Sequence, residues 1–160
     1  MRILFLLFAL VSSAALSAEP TKLQAFKHDS LNDISQNHVG KPFLLLLWSI
    51  DCPACYQELE LIRHWSAENP HINIVFVSTD SIGQQDEVKQ VIEEYQLSHL
   101  KHWVFAQQPH ARLRSIIDPN WYGELPRSYL YNQQHKRYTH SGILSASSLK
   151  KIAAALNKAS

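Results

Sequence analysis

The chain has 160 residues, of which 46% are hydrophobic and 18% charged, with a formal net charge of +1. The apolar fraction supports one domain of ordinary size with a real core. So even a charge balance gives no case for nucleic acid or an anionic membrane surface as a partner.

Met1-Arg2, the apolar stretch Ile3 to Val11 and the small-residue segment Ser12 to Ala18 read as a secretory signal peptide, residues 1–18. Cleavage is expected after Ala18, and a cut after Ser17 fits nearly as well. The competing reading is an uncleaved anchor, although the apolar core falls short of the ~20 residues a spanning helix needs. No cysteine follows to carry a lipid. Residues 19–160 are then expected to form a single domain, and with Arg2 gone its 14 basic side chains balance 14 acidic ones.

Lys22 to Phe26 reads as a short edge strand, and Ser30 to His38 as a short helix capped by Ser30. Gly40-Lys41-Pro42 breaks the chain before Phe43 to Trp48, a continuously apolar run of the kind covered on both faces of a sheet. A helix is predicted from Pro53 to Glu68, because proline suits a first helical turn and Cys55, Leu59 and Ile62 share one face. Asn69-Pro70 ends it. Ile72 to Ser78 reads as a second buried strand and Gln85 to Leu97 as a helix with Val88, Val91, Ile92 and Tyr95 on one side. Trp103 to Ala106 is a third strand, and Ala111 to Ile117 a short helix closed by Asp118-Pro119. Arg127 to Tyr131 and Lys136 to His140 form a hairpin, and Ala146 to Asn157 a last helix with Leu149, Ile152, Ala153 and Leu156 inward. Strands alternating with helices, then a hairpin and a helix, give an α/β layered domain.

The chemistry concentrates in Cys52-Pro53-Ala54-Cys55, which holds the only two cysteines. Two thiols one turn apart at a helix start can close a disulfide and reopen it. A structural staple more often joins distant segments, because closing a longer loop restricts the unfolded chain more. The other readings are a merely structural pair and half of a zinc site. Zinc usually takes four ligands, and no second CxxC or HxxxH pair is present. Cys52 falls at the helix entry and Cys55 one turn inside, so one sulfur can be exposed while the other is shielded. Ser/His/Asp catalysis has no supporting motif, and four glycines leave no phosphate-cradling loop.

Gly40-Lys41-Pro42, the run ending in Trp48, CxxC followed by Glu58, the segment Trp121 to Pro126 and the late Gly142 together resemble the exported TlpA/ResA-type thiol–disulfide oxidoreductases. The resemblance spans roughly Ser30 to Leu156. It implies a thioredoxin-like fold, a central mixed sheet flanked by helices, and no cofactor or metal. It also implies that Cys52 attacks as a thiolate, Cys55 resolves the mixed disulfide, and Pro126 is a cis-proline that sets the Leu125 backbone beside Cys52. Glu58 would tune the thiols and move protons, against the competing reading of a solvated helix residue. Trp121 and Tyr122 would line the surround of the motif, where aromatic rings can hold a peptide, and Trp48 is equally well a core residue.

The chain departs from the family at Asp51, where tryptophan often stands, and at Glu60, where proline often stands. Asp51 beside the nucleophile disfavours a thiolate, unless it serves only as a helix cap with its charge in water. Carboxylates at 51 and 58 oppose the stabilised reduced form that makes a strong oxidant. A reductant, or a weak oxidant, is therefore expected rather than a strong disulfide donor. It would act in the periplasm as a monomer, on protein substrates through mixed disulfides, and be recharged by a membrane-bound thiol donor. Cytochrome c maturation and repair of oxidised cysteines are the pathways the resemblance suggests. The alternatives are a copper-handling protein that holds or delivers Cu(I) on the dithiol, and a disulfide oxidase or isomerase. His99 and His102, three apart, are the histidines a copper role would draw on.

Overall fold

A computed structural model describes residues 21–157. The expected signal peptide lies outside the described residues. Among these residues, no helix is long and apolar enough to cross a membrane.

The strands are β1 (Leu23–Phe26), β2 (Phe43–Trp48), β3 (Asn73–Ser81), β4 (Lys101–Phe105), β5 (Arg127–Tyr131) and β6 (Arg137–Ser141). The helices are α1 (Ser30–Gln36), α2 (Pro53–Glu68), α3 (Gln85–Glu94), α4 (His110–Ile117) and α5 (Ala146–Asn157). One six-stranded sheet runs in the order β1-β4-β3-β2-β5-β6. The first four strands in that order are parallel, and the β5–β6 hairpin joins antiparallel to β2. The mixed sheet with flanking helices is the architecture expected from the element order.

All six residues of β2 are buried, because the strand sits inside the sheet and alternate side chains enter different layers. Leu44, Leu46 and Trp48 pack with Cys55, Leu59 and Ile62 of α2, Val88 and Ile92 of α3, and Leu149 and Ile152 of α5. Phe43, Leu45 and Leu47 pack with Ile34 of α1, Leu113 and Ile117 of α4, and Tyr129 and Tyr131 of β5. Each buried leucine contributes about 1.5–3 kcal/mol relative to exposure, so the strand leading to the cysteines is among the best-anchored parts of the molecule.

Several boundaries differ from expectation for local reasons. Ser30 is not a cap. Asp29 holds that position without a side-chain bond, and the Ser30 hydroxyl instead accepts the Lys27 amide at 2.8 Å. Helix α3 stops at Glu94 because Gln96 turns left-handed (φ 56°), and the Leu97 amide folds back to the Ile92 carbonyl. Strand β3 continues three residues past Ser78. There its pairing with β4 shifts, so that Thr79 and Asp80 bulge between the Ser78–Val104 and Ser81–Phe105 pairs.

Candidate redox site

Strand β2 ends at Trp48, and Ser49 to Asp51 make the turn that delivers Cys52 to the start of α2. The Cys52 amide donates to the Ser49 carbonyl at 3.1 Å. Cys52 is the N-cap of α2, with an extended backbone, and Pro53 follows in the first turn. This is the entry that proline favours, since its missing N–H would have no helical partner there.

Cys52 and Cys55 are joined as a disulfide, with Cα atoms 5.3 Å apart. Cys52 is half-buried and Cys55 is 1% exposed, so the asymmetry expected from their places on the helix is present. The Cys55 amide donates to the Cys52 sulfur at 3.2 Å. The Cys52 sulfur thus sits at the N-terminus of a 16-residue helix, a place where a helix stabilises negative charge.

Glu58, one turn beyond Cys55, is 2% exposed, so it is not the solvated helix residue of the competing reading. Its Oε1 accepts the Leu144 amide at 3.1 Å. Burial pushes its carboxyl up from 4.5 to about 7, against the Leu144 bond, which lowers it. Glu58 is thus a buried acid pushed up to about 7, one helical turn beyond Cys55.

The Leu125–Pro126 peptide is cis, as expected from the resemblance. Leu125 is partly buried and packs against the same cluster as Cys52, Cys55 and Trp48. The Gly142 amide donates to the Pro126 carbonyl at 2.9 Å, two residues before the amide that holds Glu58. Gly142 has φ +84° and nothing within 4 Å of an added Cβ, so backbone conformation is what calls for glycine there. The segment from Gly142 to Leu144 therefore ties Pro126 and Glu58 together.

The aromatic pair divides. Tyr122 is 92% exposed. Trp121 is 4% exposed, packs into the layer under α1 and α4, and donates its ring N–H to the Glu124 carbonyl at 2.8 Å. Trp121 thus holds the 121–126 loop from within, and Tyr122 is the ring that loop offers to solvent. Trp48 is 2% exposed and belongs to the core. Below the loop, buried Asp118 pairs with Arg127 at 3.2 Å and Arg137 at 3.1 Å and accepts the Tyr129 hydroxyl at 3.2 Å. Arg127 also reaches Glu124 at 3.0 Å and touches the Ser141 hydroxyl.

Asp51 is exposed, and its amide donates to the Ser49 hydroxyl at 3.1 Å. The sequence did not single out Ser49, Tyr56, Ser78 or Asp80, which surround this turn. Asp80 is 6% exposed and its carboxylate accepts from the Ser49 hydroxyl (2.7 Å), the Ile50 amide (3.0 Å) and the Ser78 hydroxyl (2.5 Å). The Tyr56 hydroxyl donates to the Ile50 carbonyl at 2.7 Å. Burial, then Tyr95 and the charges of Asp80, Asp51 and Glu94, push that hydroxyl above its ordinary range. The signal was a polar run, Ser78 to Ser81, closing an apolar strand beside the motif.

His99 is exposed, while His102 is 1% exposed, with Nε2 on the Leu97 carbonyl at 2.8 Å and its ring stacked on Phe76. Burial pulls it down to about 4. Among the described residues, no three His, Cys, Asp or Glu side chains group as a metal site.

No family model matches this chain, and no curated protein matches it in sequence. Solved structures do match in shape. A thiol:disulfide interchange protein of the thioredoxin family from Chlorobium tepidum superposes with a TM-score of 0.61 at 18% identity, over 76% of this chain and 84% of that one. A secreted Mycobacterium tuberculosis disulfide oxidoreductase homologous to Escherichia coli DsbE gives 0.56 at 17%, over 77% and 85%. StoA from Bacillus subtilis gives 0.54 at 20%, over 71% and 83%. At these identities the likeness defines the fold. The chain has the thioredoxin fold, with its CxxC at the start of the helix that follows β2.

Proposed function

We propose that this chain is an exported thiol–disulfide oxidoreductase of TlpA/ResA type that reduces disulfides in other proteins through Cys52 and Cys55. The observation that carries the reading is the unequal pair: a half-buried sulfur at a helix N-cap, contacted by the Cys55 amide, and a buried partner one turn in. The Cys52 thiolate attacks a substrate disulfide, forms a mixed disulfide and expels one substrate thiolate, which takes up a proton. Cys55 then loses its proton, attacks Cys52 and releases the second substrate thiol. Counting the proton that Cys52 released on becoming a thiolate, two electrons and two protons pass from the dithiol to the substrate. Glu58, held near neutrality by burial, is suited to receive the proton that Cys55 gives up.

Leu125 and Pro126 offer the substrate strand its backbone neighbour, Tyr122 its exposed ring, and Trp121 the anchor of that loop. Asp51 and Glu58 bias the pair toward a reductant. Export rests on the leader at residues 1–18 and is in keeping with the secreted relative in shape. A periplasmic, monomeric protein recharged by a membrane-bound thiol donor, serving cytochrome c maturation or cysteine repair, completes the reading.

Insulin reduction with Cys52→Ser as control tests the activity, and loss of turnover in that variant is expected. Equal turnover in the variant refutes it. Cys55→Ser should retain substrates as mixed disulfides, and those captured name the pathway. Equilibration with glutathione tests direction, because a potential near about −120 mV belongs to a strong oxidant and overturns the reductant assignment.

A further inference from the structure

We infer that Asp80 is a positioning residue for the Cys52–Cys55 pair: from the bulge in β3 it clamps the turn that presents Cys52. The inference rests on the redox reading of that pair. A bulge re-aims side chains, and bulges are over-represented beside active sites. Here the two extra residues both reach across to the chain leading to Cys52. The Thr79 hydroxyl donates to the Trp48 carbonyl at 3.3 Å. Asp80, next in line, takes the Ser49 hydroxyl and the Ile50 amide, one on each carboxylate oxygen.

Four further bonds complete the clamp. The Ser78 hydroxyl donates to Asp80 and in turn accepts the Asp80 amide at 3.0 Å, which fixes the carboxylate's own position. The Ser49 hydroxyl accepts the Asp51 amide, and the Ser49 carbonyl accepts the Cys52 amide. One buried carboxylate thus connects to Cys52 through a single residue. Buried polar groups of this kind are costly to leave unpaired. Removing the acceptor strands an amide and two hydroxyls, and the turn must open to water to satisfy them.

The consequence is chemical as well as structural. A clamped turn keeps the two sulfurs within bonding reach in the dithiol form. A loosened one gives the dithiol more conformations to lose on closing, so the equilibrium moves toward the dithiol. In the assay, protein disulfide and two glutathione thiols exchange with protein dithiol and glutathione disulfide, at fixed pH 7.

The test compares Asp80→Ala with Asp80→Asn in the full mature protein. Both remove the same charge, but asparagine keeps an acceptor for the Ile50 amide and a donor that the Ser49 hydroxyl can accept. The expected result is an equilibrium constant shifted about tenfold toward the dithiol in Asp80→Ala, about 30 mV for a two-electron couple, and within about threefold of wild type in Asp80→Asn. Equal shifts in the two variants would mean that charge, not position, is at work and would overturn the inference. So would an unshifted Asp80→Ala. If Asp80→Ala yields no folded protein, Ser49→Ala is read instead. It removes one strut and should shift the constant about threefold in the same direction, and no shift again overturns the inference. The measurement needs only the protein's own cysteines. A wild type that equilibrates with glutathione but reduces no insulin therefore refutes the oxidoreductase proposal separately.

Discussion

Glu58→Gln should flatten the pH dependence of stability in the oxidised protein. The carboxyl titrates at about 7 when folded, against 4.5 ordinarily, because burial disfavours its charge. A group that holds its proton more tightly when folded favours folding in acid, and that advantage drains away as pH rises from 4.5 through 7. At about 1.4 kcal/mol for each pH step between the two values, the whole effect is about 3 kcal/mol. About 2.5 kcal/mol of it falls between pH 5 and 8. Glutamine never ionises, yet keeps an acceptor for the Leu144 amide. Any cost of its buried NH2 is the same at every pH. Urea unfolding of both proteins at pH 5, 6, 7 and 8 gives the difference directly. Wild type should lose about 2.5 kcal/mol relative to the variant across that range, or roughly 8–10 °C in melting temperature for a domain this size. A difference constant to within about 0.5 kcal/mol would show that Glu58 does not carry its proton into the neutral range when folded, and the proposed exchange with Cys55 would lose its basis.

The two neighbouring aromatics should separate cleanly. Tyr122→Ala, at a 92% exposed ring, should leave the melting temperature unchanged while insulin reduction falls severalfold through a raised KM. Trp121→Ala, at a buried ring that also ties the Glu124 carbonyl, should cost about 3–5 kcal/mol in urea unfolding. Asp118→Ala strips two arginines and a tyrosine of their shared acceptor, and about 3 kcal/mol is expected from breaking a buried pair. Asp118 should also mark the acid limb of stability. Burial alone would raise its carboxyl, but the Asn120 amide, the Arg137 charge, the Tyr129 hydroxyl and Arg127 together lower it. Its contribution is therefore present above the ordinary carboxylate range and lost on acidification, and Asp118→Asn should lose less stability than wild type between pH 5 and 3 in the same assay.

Much of the fold was legible because its signals are local. The bounds of β2 and α2 follow from an unbroken apolar run, a proline in the first helical turn and a three–four spacing on one face, and both elements lie where those signals put them. The unequal burial of the cysteines follows from the same helix geometry. Errors gathered where a contact outside the hydrophobic pattern decides. Ser30 looks like a cap, but its hydroxyl is taken by Lys27. Strand β3 looks finished at Ser78, because its next residues are polar, and only the neighbouring turn explains why Asp80 in that extension stays buried. Trp121 and Tyr122 are adjacent and chemically alike, yet one faces a layer and the other faces water, a distinction that depends on how the loop crosses the sheet.

The redox motif is four residues long, but what governs its chemistry comes from elsewhere. Asp80 reaches the motif's turn from 30 and 31 residues away, and Leu144 reaches Glu58 from 86. Both come from places where the chain leaves regular pairing, the bulge in β3 and the left-handed turn at Gly142. Regular strands keep their amides and carbonyls for one another. Only at such departures does the backbone have an amide to spare for a buried carboxylate, or a side chain re-aimed toward a neighbouring turn. The thioredoxin fold supplies the helix start and the shielded second sulfur, and the chain adds the cis Leu125–Pro126 peptide. On the proposed reading, the reactivity of Cys52 depends on two irregular segments, and substitutions there should alter the thiols while leaving the sheet intact.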